Sequence, residues 1–473
     1  MTTVIEPEER TAPPVRHQTP AEWVRANLFP NWYSGLITVI LAPTILYLAW
    51  RAFLFFFVNG QWEAVEVNLA LFMQGTFPRD EQWRLIAQIL IFALSLGIGA
   101  GTASAAARDR AEDAGLPYQQ DSVTGLLRRM WSLVGFIVLL LVFATTHEPG
   151  SVWNPFLVVA GAVVVAFIGY QARRFPRGLR NLGWLLTLVL LVVGFQVVSG
   201  FDAGGWVPLG LILGIAAYNV TPVDRIDSQW QRVIARFVAA AVVVFVIRLI
   251  YQTVDTTGIG WDEWSGLHLT LMVSAIAIVL AFPLGLLLAL ARRSTLPALR
   301  YMSTVYIEVI RGVPLITLLF MGQFIIGFMV PAGTELSDVT RAIVAMTAFT
   351  AAYIAEIVRG GLQSLPAGQT EAGQALGLSP PTIMRRIVLP QALRAVIPAM
   401  VGQFISLFKD SSLLFIIGIV EFLGVRRIVH AQEMFRGVSI AETLVFVAIG
   451  YWAFAFAMSR ESQRLERRLR VSR

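Results

Sequence analysis

The chain has 473 residues, 56% of them hydrophobic and only 14% charged, whereas soluble domains carry about a quarter charged residues. Its formal charge of +7 comes from residues set beside apolar blocks, not from one continuous basic face, so the sequence points away from nucleic acid and toward membrane topology signals. Cysteine is absent, which excludes disulfides, thiolate metal sites and cysteine nucleophiles.

Residues 1–34 begin MTTVIEPEERTAPPVRHQTP, with acids where a cleavable signal carries positive charge. The expectation is a cytoplasmic tail, with an amphipathic stretch near Trp23 to Trp32. Apolar windows then fall near 35–57, 86–106, 130–146, 153–170, 182–199, 206–220 and 235–253. Five more follow near 267–291, 308–330, 341–359, 393–419 and 440–460. About twenty apolar residues cross a hydrocarbon core as helix, and helices satisfy their own backbone in lipid. The expected fold is therefore an all-α polytopic membrane protein of about 12 transmembrane helices.

Arginine content alternates between the connecting loops. The segments from Arg108 to Arg129, QARRFPRGLRN, TPVDRIDSQWQR, ARRSTLPALR and Arg359 to Arg394 are basic; THEPGSVWN, FDAGG and TVDTTGIGWDEW carry no Lys or Arg. The positive-inside rule assigns the first set, and both termini, to the cytoplasm. The basic tail 461–473 fits that side. Arg426 and Arg427 depart from the pattern, and an interfacial helix over Val425 to Phe435 would let them snorkel. Trp153, Trp206, Trp261 and Trp264 stand near span ends, as interfacial anchors do. The four histidines, His17, His147, His268 and His430, are far apart, which argues against a metal site.

Residues 35–255 form an extension of spans joined by featureless loops, and 264–460 form a second part whose loops are dense in Glu, Arg, Gly, Pro and Gln. Within it, 360–390 read GGLQSLPAGQTEAGQALGLSPPTIMRRIVLP. Thr370 to Ala375 is helix-compatible, Gly377 is a stop where a helix ends at positive φ, and Ser379-Pro380-Pro381 opens a second helix. Pro390 punctuates before the next span. The expected product is two short helices on a tight turn, with small residues that let a partner approach closely.

Glu371-Ala372-Gly373, then Gly377 after three residues, then Ile387-Val388-Leu389-Pro390 after nine, resembles the EAA loop of ABC importer permeases. Gly373 departs from the family's second alanine, which should loosen the first helix, since Gly costs about 1 kcal/mol against Ala within a helix. The clusters Tyr306 to Pro314, Ala352 to Gly361 and Phe408 to Leu413 are similar to the polar-amino-acid-uptake permeases, and the long extension resembles their general L-amino-acid subunits. The resemblance implies a five-helix type I importer core over 264–460, with Glu371, Ala372, Gly373, Ala375, Gly377, Ile387, Leu389 and Pro390 coupling it to an ATPase. It further implies a cytosolic ATPase dimer, a second related permease, an extracytoplasmic amino-acid-binding protein and a bacterial inner-membrane location.

Energy must come from elsewhere. A P-loop requires a lysine followed by Ser or Thr, and the one lysine, Lys409, precedes Asp410. This chain is thus not expected to be an enzyme or to hold a cofactor; ATP and magnesium belong to the partner. Lys409 and Asp410 lie deep in an apolar window, where ions mark a pathway or a structural pair; both readings stay open. Glu308 with Arg311 and Glu356 with Arg359 stand at i, i+3, a spacing for same-helix ion pairs that serve either a gate or simple snorkelling. Leu319 and Gln323 share a helix face, and with Asp410 and Ser412 they form the candidate substrate pathway, although a lone Gln also suits an interhelical hydrogen bond. The alternative function is an ion- or proton-coupled amino-acid carrier.

Overall fold

A computed structural model describes residues 19–115, 155–200, 206–221, 228–253, 258–329 and 336–471. Most of the N-terminal tail, the window 130–146 and Trp153 lie outside them. Among the described residues every regular element is helical. Eight helices are long and apolar enough to span a membrane, and one bent pair makes a ninth if it is counted as a single span; the sequence led us to expect about twelve. Ten of the twelve windows fall on helices of the expected place, but two of these, Pro155–Tyr170 and Trp206–Val220, have only 16 and 15 residues.

The chain divides into two compact units, residues 1–62 and 63–473. In the first, α1 (Pro20–Leu28) begins with a capping box at Thr19, whose hydroxyl accepts from the Glu22 N–H while the Glu22 carboxylate accepts from the Thr19 N–H. Then α2 (Trp32–Leu54) runs on through a π turn to Asn59.

The second unit opens with α3 (Glu63–Val67) and α4 (Leu69–Gln74), followed by α5 (Gln82–Asp113), α6 (Pro155–Tyr170) and α7 (Arg180–Ser199). Small residues hold these last three together. A Cβ on Gly97 would stand 2.2 Å from the Ala166 carbonyl oxygen, and one on Gly183 would stand 2.4 Å from Thr102 Oγ1. Lipid offers no hydrophobic drive between helices, so close backbone approach supplies the attraction. A pair, α8 (Trp206–Val220) and α9 (Gln229–Thr253), follows.

The remaining helices build the second part: α10 (Gly266–Arg292), α11 (Pro297–Gly312), α12 (Leu315–Met329), α13 (Asp338–Gln363), α14 (Gly368–Ala375), α15 (Pro380–Ile383), α16 (Leu389–Asp410), α17 (Val425–Ala431) and α18 (Ile440–Val471). The most enclosed of them is α13, packed against α10 where a Cβ on Gly285 would lie 2.7 Å from Ile354 Cβ. The window 308–330 is not one straight span. It breaks between α11 and α12 with a 110° bend, because Pro314 has no N–H and pushes Val313 into extended backbone, φ −102° and ψ 135°.

Ile259 donates its N–H to the Val198 carbonyl, Gly266 donates to Val420, and Gln432 donates to Asn68 Oδ1 at 2.7 Å. These bonds bring the end of α7, the turn before α10, the end of α3 and the segment 420–432 together where α10 starts, and the last of these carries Arg426 and Arg427. At the other end of α10, about 40 Å away for 27 residues, Arg292 meets the ends of α11 and α13. The expected short helix after the eleventh window is present as α17. Trp264 is not an interfacial anchor: it is 2% exposed, stacked 4.8 Å from Trp261, and donates its indole N–H to the Ile259 carbonyl. Phe195 of α7 closes on both rings, so these tryptophans lock the extension to α10.

Candidate functional site: a paired-helix loop and a shared carboxylate

The loop between α13 and α16 carries two short helices in a hairpin. Helix α14 ends where Gly377 takes φ +73°, the Gly377 N–H bonds the Gln374 carbonyl, and the Leu378 N–H reaches back to Gly373. This six-to-one closure is the Schellman arrangement that glycine permits. Ser379 is extended, Pro380 and Pro381 occupy the first turn of α15, and the Ser379 and Thr382 hydroxyls lie 2.8 Å apart.

Gly373 does not loosen α14. It is buried, and a Cβ there would stand 2.9 Å from Ile383 Cγ1, so the missing methyl lets the helices of the hairpin touch. Pro390 does not punctuate either. From Met384 a π turn runs without a break into α16, and Pro390 lies just past that turn, where the altered hydrogen-bond ladder accommodates its missing N–H. The hairpin is thereby joined to α16 by a continuous run of helix. Glu371, Ala372, Ala375 and Gly377 are exposed together, while Ile387 and Leu389 are half-buried at the root. Sequence reasoning missed Leu376, which is 77% exposed beside Gly377; an apolar side chain at a helix end, between two small residues, was the available signal.

Above this loop lies a cluster of five charges. Glu356 pairs with Arg359 as expected, with Arg359 Nε 3.0 Å from Glu356 Oε1. The expected Glu308–Arg311 pair is not among the ion pairs of the described residues. Instead Glu308 meets Arg292 Nη2 at 2.7 Å, and Glu356 Oε2 meets Arg292 Nη1 at 3.2 Å and Arg311 Nη1 at 3.7 Å. The bend at Pro314 and the packing of α10 on α13 bring three helix ends together, so cross-helix partners win over i, i+3 neighbours. Arg311 also lies over the Tyr353 ring at 5.6 Å, and Arg359 Nη1 donates to Gln363 Oε1.

The candidate pathway residues are partly brought together. Leu319 is fully buried and packs in one core cluster with Leu407 and Leu414, which flank Asp410 and Ser412 in sequence. It is therefore core in this conformation. Asp410 and Ser412 are half-buried at the point where α16 tightens into a 3₁₀ turn over Ser411–Ile417. Gln323 Oε1 is buried without a partner among the described residues, and the Gln323 carbonyl accepts from Arg341 Nη1 at 3.0 Å. Lys409 is exposed and forms no ion pair with Asp410 among the described residues. Sequence reasoning also missed Thr347 and Thr350 on α13, whose buried hydroxyls have no partner among the described residues; an unpaired buried polar atom is costly.

A helical membrane protein with an exposed paired-helix loop rooted in one of its spans is the class that these features define. Residues 281–471 match the family described as binding-protein-dependent transport system inner membrane component. The glutamate/glutamine/aspartate/asparagine transport system permease protein BztC of Rhodobacter capsulatus is 30% identical over 484 residues, covering 97% of this chain and 95% of that protein. The inner membrane amino-acid ABC transporter permease protein YhdY of Escherichia coli is 44% identical over 211 residues, 45% of this chain and 57% of that one. A crystal structure of an amino acid ABC transporter with histidines aligns at 28% identity with TM-score 0.39, over 43% of this chain and 92% of that one. The chain belongs to the ABC importer permeases, the membrane components of binding-protein-dependent transport systems.

Proposed function

We propose that this permease carries L-amino acids into a bacterial cell by alternating access, driven by a separate cytosolic ATPase dimer that holds ATP and magnesium. The observation that carries the proposal is the hairpin of α14 and α15: a compact knob whose exposed face is Glu371, Ala372, Ala375, Leu376 and Gly377, continuous through a π turn with α16. Such a knob fits a groove on a partner, and its rigid root delivers the partner's motion to Asp410 and Ser412 at the far end of the same helix. The names of the similar permeases, which specify amino acids, support the cargo. An extracytoplasmic binding protein delivers the amino acid, and a second, related permease completes the pathway. Both termini lie in the cytoplasm on the arginine pattern.

In this reading the solute passes between α12, α13 and α16, where Gln323, Thr347 and Thr350 leave polar atoms unpaired and Asp410 and Ser412 stand half-buried. The network of Arg292, Glu308, Arg311, Glu356 and Arg359 ties three helix ends on the hairpin's side and closes the inner gate. The competing ion-coupled carrier would use Lys409 and Asp410.

The assembled complex in proteoliposomes decides between them. Uptake is expected to require ATP on the hairpin side, to survive ionophores, and to be lost in the double variant Glu371→Trp, Gly377→Trp although the protein still folds. Uptake by this chain alone, or uptake that collapses with the proton gradient, would overturn the proposal.

A further inference from the structure

Glu421 is fully buried, yet nothing in the transport reading above uses it. It belongs to Glu421-Phe422-Leu423-Gly424, the turn that enters α17. Both carboxylate oxygens are taken. Oε1 accepts the Gly424 N–H at 2.8 Å, and Oε2 accepts the Leu423 N–H and the Tyr451 hydroxyl, each at 2.8 Å. Burial pushes the carboxyl up to about 7, against the pull of these three donors. The turn itself is pinned to α10, because the Phe422 N–H donates to Thr270 Oγ1 and the Gly266 N–H to the Val420 carbonyl.

The carboxylate's one side-chain donor leads across the core. Tyr451, on α18, has its ring packed 5.2 Å from Phe408 and 5.7 Å from Phe422, and its Oη lies 3.4 Å from Ser411 Oγ. Ser411 in turn donates to the Phe408 carbonyl at 2.6 Å. That residue stands between Asp410 and Ser412, where α16 gives way to the 3₁₀ turn. The two helix types advance by about 3.6 and 3.0 residues per turn. The direction in which Asp410 and Ser412 point therefore depends on where the switch occurs, and the side chain at the switch abuts Tyr451 as a packing contact and not a hydrogen bond, since the Tyr451 proton goes to Glu421 and the Ser411 proton to the Phe408 carbonyl.

We propose that Glu421 is a positioning residue for transport: through Tyr451 it fixes Ser411, and through Ser411 it sets the orientation of Asp410 and Ser412. The inference rests on the reading of those two residues as solute contacts. Tyr451→Phe leaves the backbone contacts of Glu421 intact and removes only the link. Glu421→Gln, with its amide oxygen in the place of Oε2, keeps the acceptor for the Tyr451 hydroxyl and the Leu423 N–H and gives up the Gly424 N–H, so it should retain the link; Glu421→Ala should not.

The chain has no cysteine, so Ser412→Cys provides a single reporter thiol on this chain, whose labelling is read on its own band after the subunits of the labelled complex are separated. Tyr451→Phe is expected to change its maleimide labelling rate by about threefold or more, and to raise the uptake KM about tenfold in the chain with Ser412 restored, the effect of one hydrogen bond. Glu421→Gln should leave both within about threefold of the parent. Tyr451→Phe with unchanged labelling and unchanged KM overturns the proposal, even if Glu421→Ala fails to fold. Asp410→Asn separates the two ideas. If it leaves KM unchanged while Tyr451→Phe alters labelling, the positioning stands and the solute-contact reading fails; if it raises KM while Tyr451→Phe is silent, the reverse holds.

Discussion

Replacing Glu356 by glutamine tests whether the charge cluster has one hub. Glu356 is 22% exposed and faces three guanidinium groups, at 3.0 Å for Arg359, 3.2 Å for Arg292 and 3.7 Å for Arg311. Glu308 is 57% exposed and, among the described residues, forms an ion pair only with Arg292, Arg359 feeling its charge from further off. In Glu356→Gln, Arg359 keeps Gln363 and Arg292 keeps Glu308, but Arg311 loses its one carboxylate. Hydrogen bonds to charged groups are worth about 1.5–3 kcal/mol each. The amide retains an acceptor and water reaches part of the site, so the loss should come to about 2 kcal/mol. Glu308→Gln breaks a single pair with an exposed acid and should cost at most about 1 kcal/mol. Thermal unfolding of the detergent-purified permease, followed by tryptophan fluorescence at one scan rate, should show the midpoint falling about 2 °C for Glu356→Gln and about 1 °C or less for Glu308→Gln. Adding Arg311→Gln to Glu356→Gln should restore part of the loss, because the stranded cation goes with it. Equal shifts for the two glutamate variants, or a larger one for Glu308→Gln, would refute the hub.

Two further predictions concern the extension. Gly97→Ala sets a methyl 2.2 Å from a carbonyl oxygen that cannot yield without moving α6, whereas Gly99→Ala meets side chains alone, the Thr187 methyl at 3.3 Å and Oγ1 at 3.5 Å and the Trp184 ring at 4.0 Å. The first should destabilise by about 1–3 kcal/mol or more and the second by less than about 1 kcal/mol, read as the same unfolding midpoint. Helices α3 and α4 dock on the second part through the Asn68–Gln432 hydrogen bond, the Thr76 N–H to Ser265 Oγ, and Phe72 against Phe422 and Phe446. Cysteines at 68 and 432, joined by a short bis-maleimide, should therefore cross-link in good yield and leave uptake intact; uptake abolished by the cross-link would mean that these helices must part during transport.

Much of the fold was legible because its signals are local. Apolar blocks of span length located ten helices, and the loop at 360–390 could be read residue by residue: a glycine stop, a proline start and the spacing between them determine a hairpin whatever surrounds it. What the sequence concealed depends on where helices cross. Arg292 finds Glu308 and Glu356 only because Pro314 bends α11 away from α12 and because glycine at 285 draws α10 onto α13. Local spacing had instead favoured Glu308–Arg311, an equally sound pairing on an isolated helix. Gly373 was misjudged for a related reason: helix propensity counts its cost within α14 and cannot register Ile383 packing against it from α15.

The same limit applies with more force to Glu421. A glutamate beside Phe, Leu and Gly after an apolar window reads as ordinary interfacial charge, and its burial is created by residues far away: Tyr451 thirty positions later and Thr270 about one hundred and fifty earlier. Buried polar sites in membrane proteins are built this way in general, since a polar group away from water is tolerable only when distant segments converge to satisfy it. In such a protein the motif that addresses a partner is written in contiguous residues, because the partner meets it as a surface. Residues that orient the pathway are scattered singly over several spans, and they become visible only when the helices are packed.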